Sequence, residues 1–258
     1  MYEAVMIAAT GLTNQQRRLD TIADNIANVN VMGFRASRLD FKDALYTAGI
    51  VPAAPRTPDG NQQKGHGVAT AAITRDSKQG SLIETGGQLD FAIEGDGFFE
   101  LTDSGGGRLY TRGGNFYFSN FEDGLALVSA NGYFVNDADG NAIIAPHGTN
   151  SVAVSEDGEL SFQTPDGETA RARLGIHSFR NVMGLNAAGS GNYTVSDISG
   201  EMLAAEDSRV VQGFLENSNT DLAREMTLMI RSQRAFSLAS RALTTADDME
   251  QIANNLRK

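Results

Sequence analysis

Over the first thirty residues, apolar side chains fall at Val5, Ala8, Leu12, Leu19, Ile22, Ile26 and Val29, three or four residues apart, with Gln15 interrupting the series. That spacing is the a/d seam of a heptad and predicts an amphipathic helix of about 25 residues, roughly 37 Å long. Asn14, Arg17, Arg18, Asp24, Asn25 and Asn28 occupy the opposite face, and Gly33, which tolerates positive φ, stops the pattern. The far end repeats the design. Leu222, Met226, Met229, Phe236, Ala239, Leu243, Ala246, Met249, Ala253 and Leu256 recur at the same interval, with no Gly or Pro between Asp221 and Lys258. Ser218, Asn219 or Asp221 is placed to cap this second helix, and Glu225 suits its first turn, where the helix dipole favours a carboxylate.

Between the two helical patterns the texture changes to short strand-like runs at 68–75, 82–84, 91–94, 98–101, 109–112, 125–128, 133–135, 152–154, 160–163, 171–179 and 210–215. Asp-Gly or Asn-Gly punctuates them at 59–60, 96–97, 123–124, 131–132, 139–140, 157–158 and 166–167, supplying the positive φ that tight hairpins need. The fold class expected is α+β: long terminal amphipathic helices pairing as a coiled-coil-like module, with a central, mainly antiparallel β domain. Residues 1–35 and 217–258 then form a discontinuous helical assembly module, and 68–216 the β domain. The stretch 36–67, with Pro52, Pro55 and Pro58 and few large apolar residues after 50, reads as an extended linker or loop. Each terminal helix has a narrow apolar stripe that its own chain covers from one side only. Such a chain is built for assembly, and the seam residues are its candidate interface.

Composition narrows the function classes. The chain has 258 residues and a net charge of −11, which repels nucleic-acid phosphates and anionic lipid. Cysteine is absent, which removes disulfides and thiolate chemistry, and the three histidines (His66, His147, His177) lie far apart. No apolar run is long enough to span a membrane, and Met1-Tyr2-Glu3 opens no basic-then-apolar secretory leader. The run Asn136-Asp137-Ala138-Asp139-Gly140-Asn141 resembles the start of a calcium loop, but no bidentate carboxylate follows at the right place, and a hairpin turn is the favoured reading. Gly95-Asp96-Gly97 lies between strands with no helix to present to a phosphate, and Gly105-Gly106-Gly107 reads as a hairpin tip. Glu94, Asp96 and Glu100 alternate as a solvated strand face would, and no serine sits in a nucleophile elbow. An enzyme is not expected, nor any cofactor or metal. A calcium-dependent secreted β-rich adhesin and an acidic glycosidase with paired carboxylates are the rival classes, and neither requires heptad ends.

The run Ile22-Ala23-Asp24-Asn25-Ile26-Ala27-Asn28-Val29-Asn30-Val31-Met32-Gly33-Phe34-Arg35 resembles the N-terminal signature of the bacterial flagellar basal-body rod and hook proteins. Ile26, Val31 and Arg35 are mild departures from its usual Leu, Thr and Lys. Gln212-Gly213-Phe214-Leu215-Glu216-Asn217-Ser218-Asn219 and Ser232-Gln233-Arg234-Ala235-Phe236 resemble landmarks from its C-terminal part. Gly95-Asp96-Gly97-Phe98-Phe99 and Tyr110-Thr111-Arg112-Gly113-Gly114-Asn115-Phe116 resemble landmarks from its middle. The likeness spans essentially the whole chain, and its length fits the distal rod position best, with the proximal rod position as the alternative.

The resemblance implies a structural subunit that polymerises helically through its terminal helices into a hollow drive shaft transmitting torque to the hook. It adds Asn25, Asn28, Gly33, Phe34, Gln233 and Arg234 to the candidate interface. Its implied partners are further copies of itself, other rod proteins, the hook protein, and the surrounding periplasmic and outer-membrane rings. Its implied location is the flagellar basal body in the cell envelope, reached by flagellar export without a cleaved signal peptide.

Overall fold

A computed structural model describes residues 2–43, 46–48, 63–65, 67–121, 124–165, 169–205 and 208–255. The chain divides into two compact units, one formed by the described residues of Met1–Ala27, Ser37–Thr74 and Asp221–Lys258, the other by those of Asn28–Ala36 and Arg75–Thr220.

The first unit is helical with a β arm. It contains α1 (Tyr2–Ala27), β1 (Ser37–Asp43), β2 (Tyr46–Ala48), β3 (Gln63–Gly65), β4 (Val68–Arg75) and α2 (Leu222–Asn255). The two helices pack on one another, and Gln15 Nε2 reaches the Ser232 carbonyl at 3.4 Å. The Asp221 carboxylate accepts the Arg224 N–H at 3.1 Å, so Asp221 is the N-cap of α2. Strand β1 pairs with β4, and β2 pairs antiparallel with β3. The stretch read as an extended linker thus supplies β1 to β3 among its described residues. Its Pro-rich part, 50–62, with the Asp-Gly at 59–60, lies outside the described residues.

Two asparagines on the polar face of α1 hold this arm. Asn14 Nδ2 donates to the Val68 carbonyl at 2.6 Å, and its Oδ1 accepts the Thr70 hydroxyl at 2.7 Å. Asn25 Oδ1 accepts the Ser37 N–H, and Asn25 Nδ2 donates to the Ser37 carbonyl, both at 2.8 Å. A side-chain amide carries one acceptor and two donors, so it pairs with a strand as another peptide unit would. Both residues are buried.

The second unit is a β domain. Its strands are β5 (Leu82–Glu84), β6 (Phe91–Glu94), β7 (Phe98–Thr102), β8 (Arg108–Thr111), β9 (Phe116–Phe121), β10 (Gly124–Ser129), β11 (Phe134–Val135) and β12 (Ile144–Ala145). They continue as β13 (Ser151–Val154), β14 (Glu159–Gln163), β15 (Thr169–Arg173), β16 (Ile176–Phe179), β17 (Asn186–Gly189), β18 (Asn192–Thr194), β19 (Met202–Ala204), β20 (Arg209–Gln212) and β21 (Phe214–Glu216). A ten-stranded sheet runs in the order β12-β10-β11-β7-β8-β18-β17, with β9 on β10 and with β16 joining β19 to β7. Strands β13-β14-β15 form a second sheet, while β20 pairs β6 and β21 pairs β5, antiparallel in both cases. The expected antiparallel β middle is present. Gly132, Gly140 and Gly158 hold φ near 79°, 84° and 78°, as their hairpin turns require.

The sheet is covered on both faces. Phe99, on one face, packs with Phe91, Phe116 and Leu127 in the larger core, while Phe98 points the other way into a cluster with Tyr110, Phe179 and Tyr193. The expectation of a solvated face at Glu94, Asp96 and Glu100 is corrected for one of the three. Glu100 is buried, and β16, paired beside β7, brings His177 to it: Nε2 stands 2.6 Å from Oε2, off the line of a hydrogen bond. Asn136 Nδ2 and Arg108 Nε approach the other oxygen at 3.0 and 3.4 Å. At the Asn136–Asn141 turn, Asp137 Oδ1 accepts the N–H groups of Asp139 and Asn141, so its carboxylate closes the hairpin. Among the described residues no group of His, Asp and Glu is arranged to hold a metal, and no helix is long and apolar enough to cross a membrane.

Candidate assembly interface

The seam expected on α1 is a covered row. Val5, Ala8, Leu12, Gln15, Leu19 and Ile26 are half-buried, and Ile22 is buried. On α2 the covered row is Glu225, Met229, Ser232, Phe236, Ala239, Leu243 and Ala246, at strict 4-3-4-3-4-3 steps. It shares Met229, Phe236 and Leu243 with the predicted interface set. Leu222 is in heptad register with that row but 40% exposed at the start of the helix, and Met226 and Met249 face outward with Ile230, Leu238 and Ile252, spread over the uncovered side at 51 to 66% exposure. The covered row of α2 therefore differs from the stripe expected from the sequence. Glu225 and Ser232 are the cause: both are polar and both are covered, so a search for apolar spacing stepped over them. Glu225 Oε2 and Ser232 Oγ are buried with no hydrogen-bond partner, which marks this row as polar at two points along its length. Gln233 and Arg234 are exposed, and Leu256 lies outside the described residues.

Residues 28–36, directly after α1, and 75–220, up to the start of α2, belong to the β unit, where the quoted motifs meet at a buried charge cluster. Glu216, the last residue of β21, is 1% exposed. Its Oε1 accepts from Arg35 Nη2 at 2.8 Å and from the Gly80 N–H at 3.0 Å, and its Oε2 accepts from Arg112 Nη1 at 3.2 Å. Arg112 also donates Nη2 to the Gly95 carbonyl at 2.7 Å and lies over the Phe98 ring, 5.2 Å from its centroid. Burial pushes the Arg112 guanidinium down to about 10, with Glu216 holding it up and Arg35 pressing it further down.

The backbone around the cluster is pinned as closely. The Gly33 N–H donates to the Glu216 carbonyl at 2.8 Å, and the Asn219 N–H donates to the Phe34 carbonyl at 3.3 Å. Asn219 Oδ1 accepts the Ala36 N–H at 2.7 Å, and its Nδ2 donates to the Lys78 carbonyl at 2.9 Å. Gly33 has φ +69°, and a Cβ there would fall 2.4 Å from the Gly113 nitrogen. Asn28 and Val29 are half-buried, and Phe34 is half-buried beside Gly33. Sequence reasoning quoted Arg35, Arg112 and Glu216 inside motifs without pairing them. The available signal was three charges embedded in Gly-Phe-Arg, Thr-Arg-Gly-Gly and Gly-Phe-Leu-Glu, an apolar setting that a charge enters only with a partner.

Residues 6–35 match the family described as flagella basal body rod protein, 92–162 the flagellar hook protein FlgE/F/G D1 domain, and 211–256 the flagellar basal body rod FlgEFG protein C-terminal family. The chain is 37% identical over 270 residues to the flagellar basal-body rod protein FlgG of Borreliella burgdorferi, covering 100% of both chains. It is 37% identical over 268 residues to FlgG of Bacillus subtilis, again covering all of both, and 28% identical over 273 residues to the flagellar hook-basal body complex protein FlhP of the same organism. These matched segments hold the charge cluster and both helices, so the buried triad and the helical rows are features of a structural protein and not of an enzyme. The chain belongs to the flagellar basal-body rod FlgEFG family.

Proposed function

We propose that the chain is a subunit of the distal flagellar rod that polymerises helically through its terminal helices into a hollow shaft carrying torque to the hook. The relatives named FlgG support the rod position over the full chain length. The observation that carries the assembly reading is the exposure of Leu222, Met226, Ile230, Leu238, Met249 and Ile252 along α2. Water-exposed apolar side chains repeated along one helix gain by burial against a neighbour, at about 1.5–3 kcal/mol for each large side chain fully covered. The interface set then works at two levels. Val5, Leu12, Leu19, Ile22, Ile26, Met229, Phe236 and Leu243 hold the helices of one subunit together, and Leu222, Met226 and Met249 meet the next.

On this reading, the subunit passes through the flagellar export apparatus without a cleaved signal peptide and assembles across the periplasm. Its neighbours there are other rod proteins, the hook protein and the envelope rings. The test is Met226→Asp and Ile230→Asp in cells lacking the native copy. Both sites are half exposed, so purified monomer should melt as the parent does, whereas each subunit contact gains an unpaired buried carboxylate costing several kcal/mol. Shafts should be missing and cells non-motile. Normal swimming with both variants would overturn the proposal.

A further inference from the structure

The exposed charges of α2 are sorted by sign along its length. Arg231, Arg234 and Arg241 come first, Asp247 and Asp248 later, and all five side chains are exposed. A helix face that only meets water commonly alternates its signs, with a carboxylate three or four residues from a cation. Here no carboxylate stands three or four residues from any of the three arginines, and no cation stands so near either aspartate. Arg231 and Arg234 are themselves three apart, a like-charge pair that weakens an isolated helix. Among the described residues none of the five enters an ion pair, and Asp247 accepts only from Gln251 Nε2 of its own helix, at 3.2 Å. On α1, by contrast, exposed charges are engaged locally: Arg17 Nη1 donates to the Thr70 hydroxyl at 3.2 Å, and Asp20 accepts from Gln16 Nε2 at 2.9 Å.

Steps of seven residues put Arg234, Arg241 and Asp248 on one line of α2, opposite the covered row. Apolar side chains stand beside each block of charge. Ile230 and Leu238 lie among the arginines at 51 and 66% exposure, and Met249 and Ile252 flank the aspartates at 59 and 60%. Apolar area framed by charge is the makeup of a contact surface, where the charges set partner and register. At about 1.5 Å per residue, Asp248 stands roughly 21 Å along the axis from Arg234, well beyond the ~8 Å over which exposed charges act at physiological salt. One helix therefore cannot match its own two blocks. A second copy displaced by two heptads brings Asp248 of one helix level with Arg234 of the other. Its own acidic end is then left for a further copy, so the contact repeats.

We propose that the acidic end of α2, Asp247 and Asp248, packs against the arginine stretch 231–241 of α2 in a second copy of this chain. This inference rests on the assembly reading above and names the contact and the charges that set it. The occupant follows from charge: the same helix carries both complementary blocks, too far apart to meet within one copy.

The test reverses each block in the full-length chain, expressed in cells lacking the native copy. One variant carries Asp247→Arg with Asp248→Arg, the other Arg234→Glu with Arg241→Glu. All four sites are exposed, so both purified monomers should melt as the parent does. Each variant alone sets like charges against each other at every contact, and its shaft yield should fall about tenfold or more. The two variants expressed together should recover shafts, since the reversed end of each now matches the reversed stretch of the other. A misfolded or unexported chain could not be rescued in this way, nor could one whose arginines meet a different protein. Parent-like yield from either variant alone, or no recovery on co-expression, would overturn the contact while leaving assembly through the helices standing. Absence of shafts from the parent chain itself would sink the assembly reading.

Discussion

Glu216 shows how one side chain holds three segments that are far apart in sequence. It balances two arginines at 2.8 and 3.2 Å, and Arg35 Nη1 and Arg112 Nε already lie buried with no partner. Glu216→Ala would leave two buried cations with no carboxylate between them, a loss of about 3–5 kcal/mol. Denaturant unfolding should show a fall of that size; a change under about 0.5 kcal/mol would contradict the role given to the cluster. The buried phenols bear on alkaline stability. Burial is the main cause raising Tyr110 and Tyr193 above the ordinary value of 10.0; Glu100 adds to it at Tyr110, while Arg75 works against it at Tyr193. A phenol whose folded pKa is raised contributes in full below the unfolded value, and that contribution is lost as pH climbs through the folded value. Arg112, lowered to about 10 in the fold, has the opposite sign above that value. Above about pH 10 the unfolding midpoints of Tyr110→Phe and Tyr193→Phe should therefore hold up better than the parent's, because each variant lacks one contribution that is lost as pH rises. A parent-like slope in both variants would contradict this.

At the scale of the element, strand β7 departs from simple alternation. Phe98 and Phe99 are adjacent and point to opposite faces, as strand geometry demands, but both are buried, at 2 and 0% exposure. Phe99 stacks edge-on to Phe116 at 5.3 Å, and Phe98 edge-on to Tyr193 at 5.7 Å. Either one replaced by Ala should cost about 3–5 kcal/mol through the cavity left behind, and thermal melting should show both falling by similar amounts. A neutral Phe98→Ala would mean that its face is not a true core. Most strands were legible from apolar runs bounded by Asp-Gly or Asn-Gly. The predicted runs 171–179 and 210–215 each break into two strands, at Gly175 and Gly213. A Cβ on Gly175 would lie 2.5 Å from the Asp137 carbonyl oxygen, and Gly213 has φ +75°. Strands β17 and β19 escaped the reading because their exposed Asn186-Ala187-Ala188-Gly189 and Met202-Leu203-Ala204 carry no alternation; pairing to β18 and β16 makes them strands.

For the whole molecule, the exposed apolar side chains of α2 set the behaviour of the free subunit. Helices of 26 and 34 residues with such side chains uncovered hold less of their stability internally than the doubly covered β sheet does. In a dilute monomer, limited proteolysis should remove roughly the first 30 and last 35 residues first, leaving the β unit intact. Mass spectrometry of the fragments checks this, and equal resistance of the ends in a demonstrably monomeric sample would contradict it. Polymerised subunits should lose that sensitivity, since the neighbour then covers those side chains.

Local patterns were enough for the two helices, the antiparallel β middle and its hairpin turns, because helix and strand periodicity and the positive φ of Gly are written into adjacent residues. The chain's family was equally legible, since its motifs are short contiguous runs. The pairing of Arg35, Arg112 and Glu216 was not. Nor was the burial of Asn14, Asn25 and Glu100, or which side chains of α2 are covered and which face out. Each depends on what the fold brings against a residue from a distant segment, and polar groups reveal such partners only when the chain is closed around them. Ser232, polar and outside the apolar stripe expected from the sequence, is 1% exposed, because burial belongs to the neighbours and not to the residue.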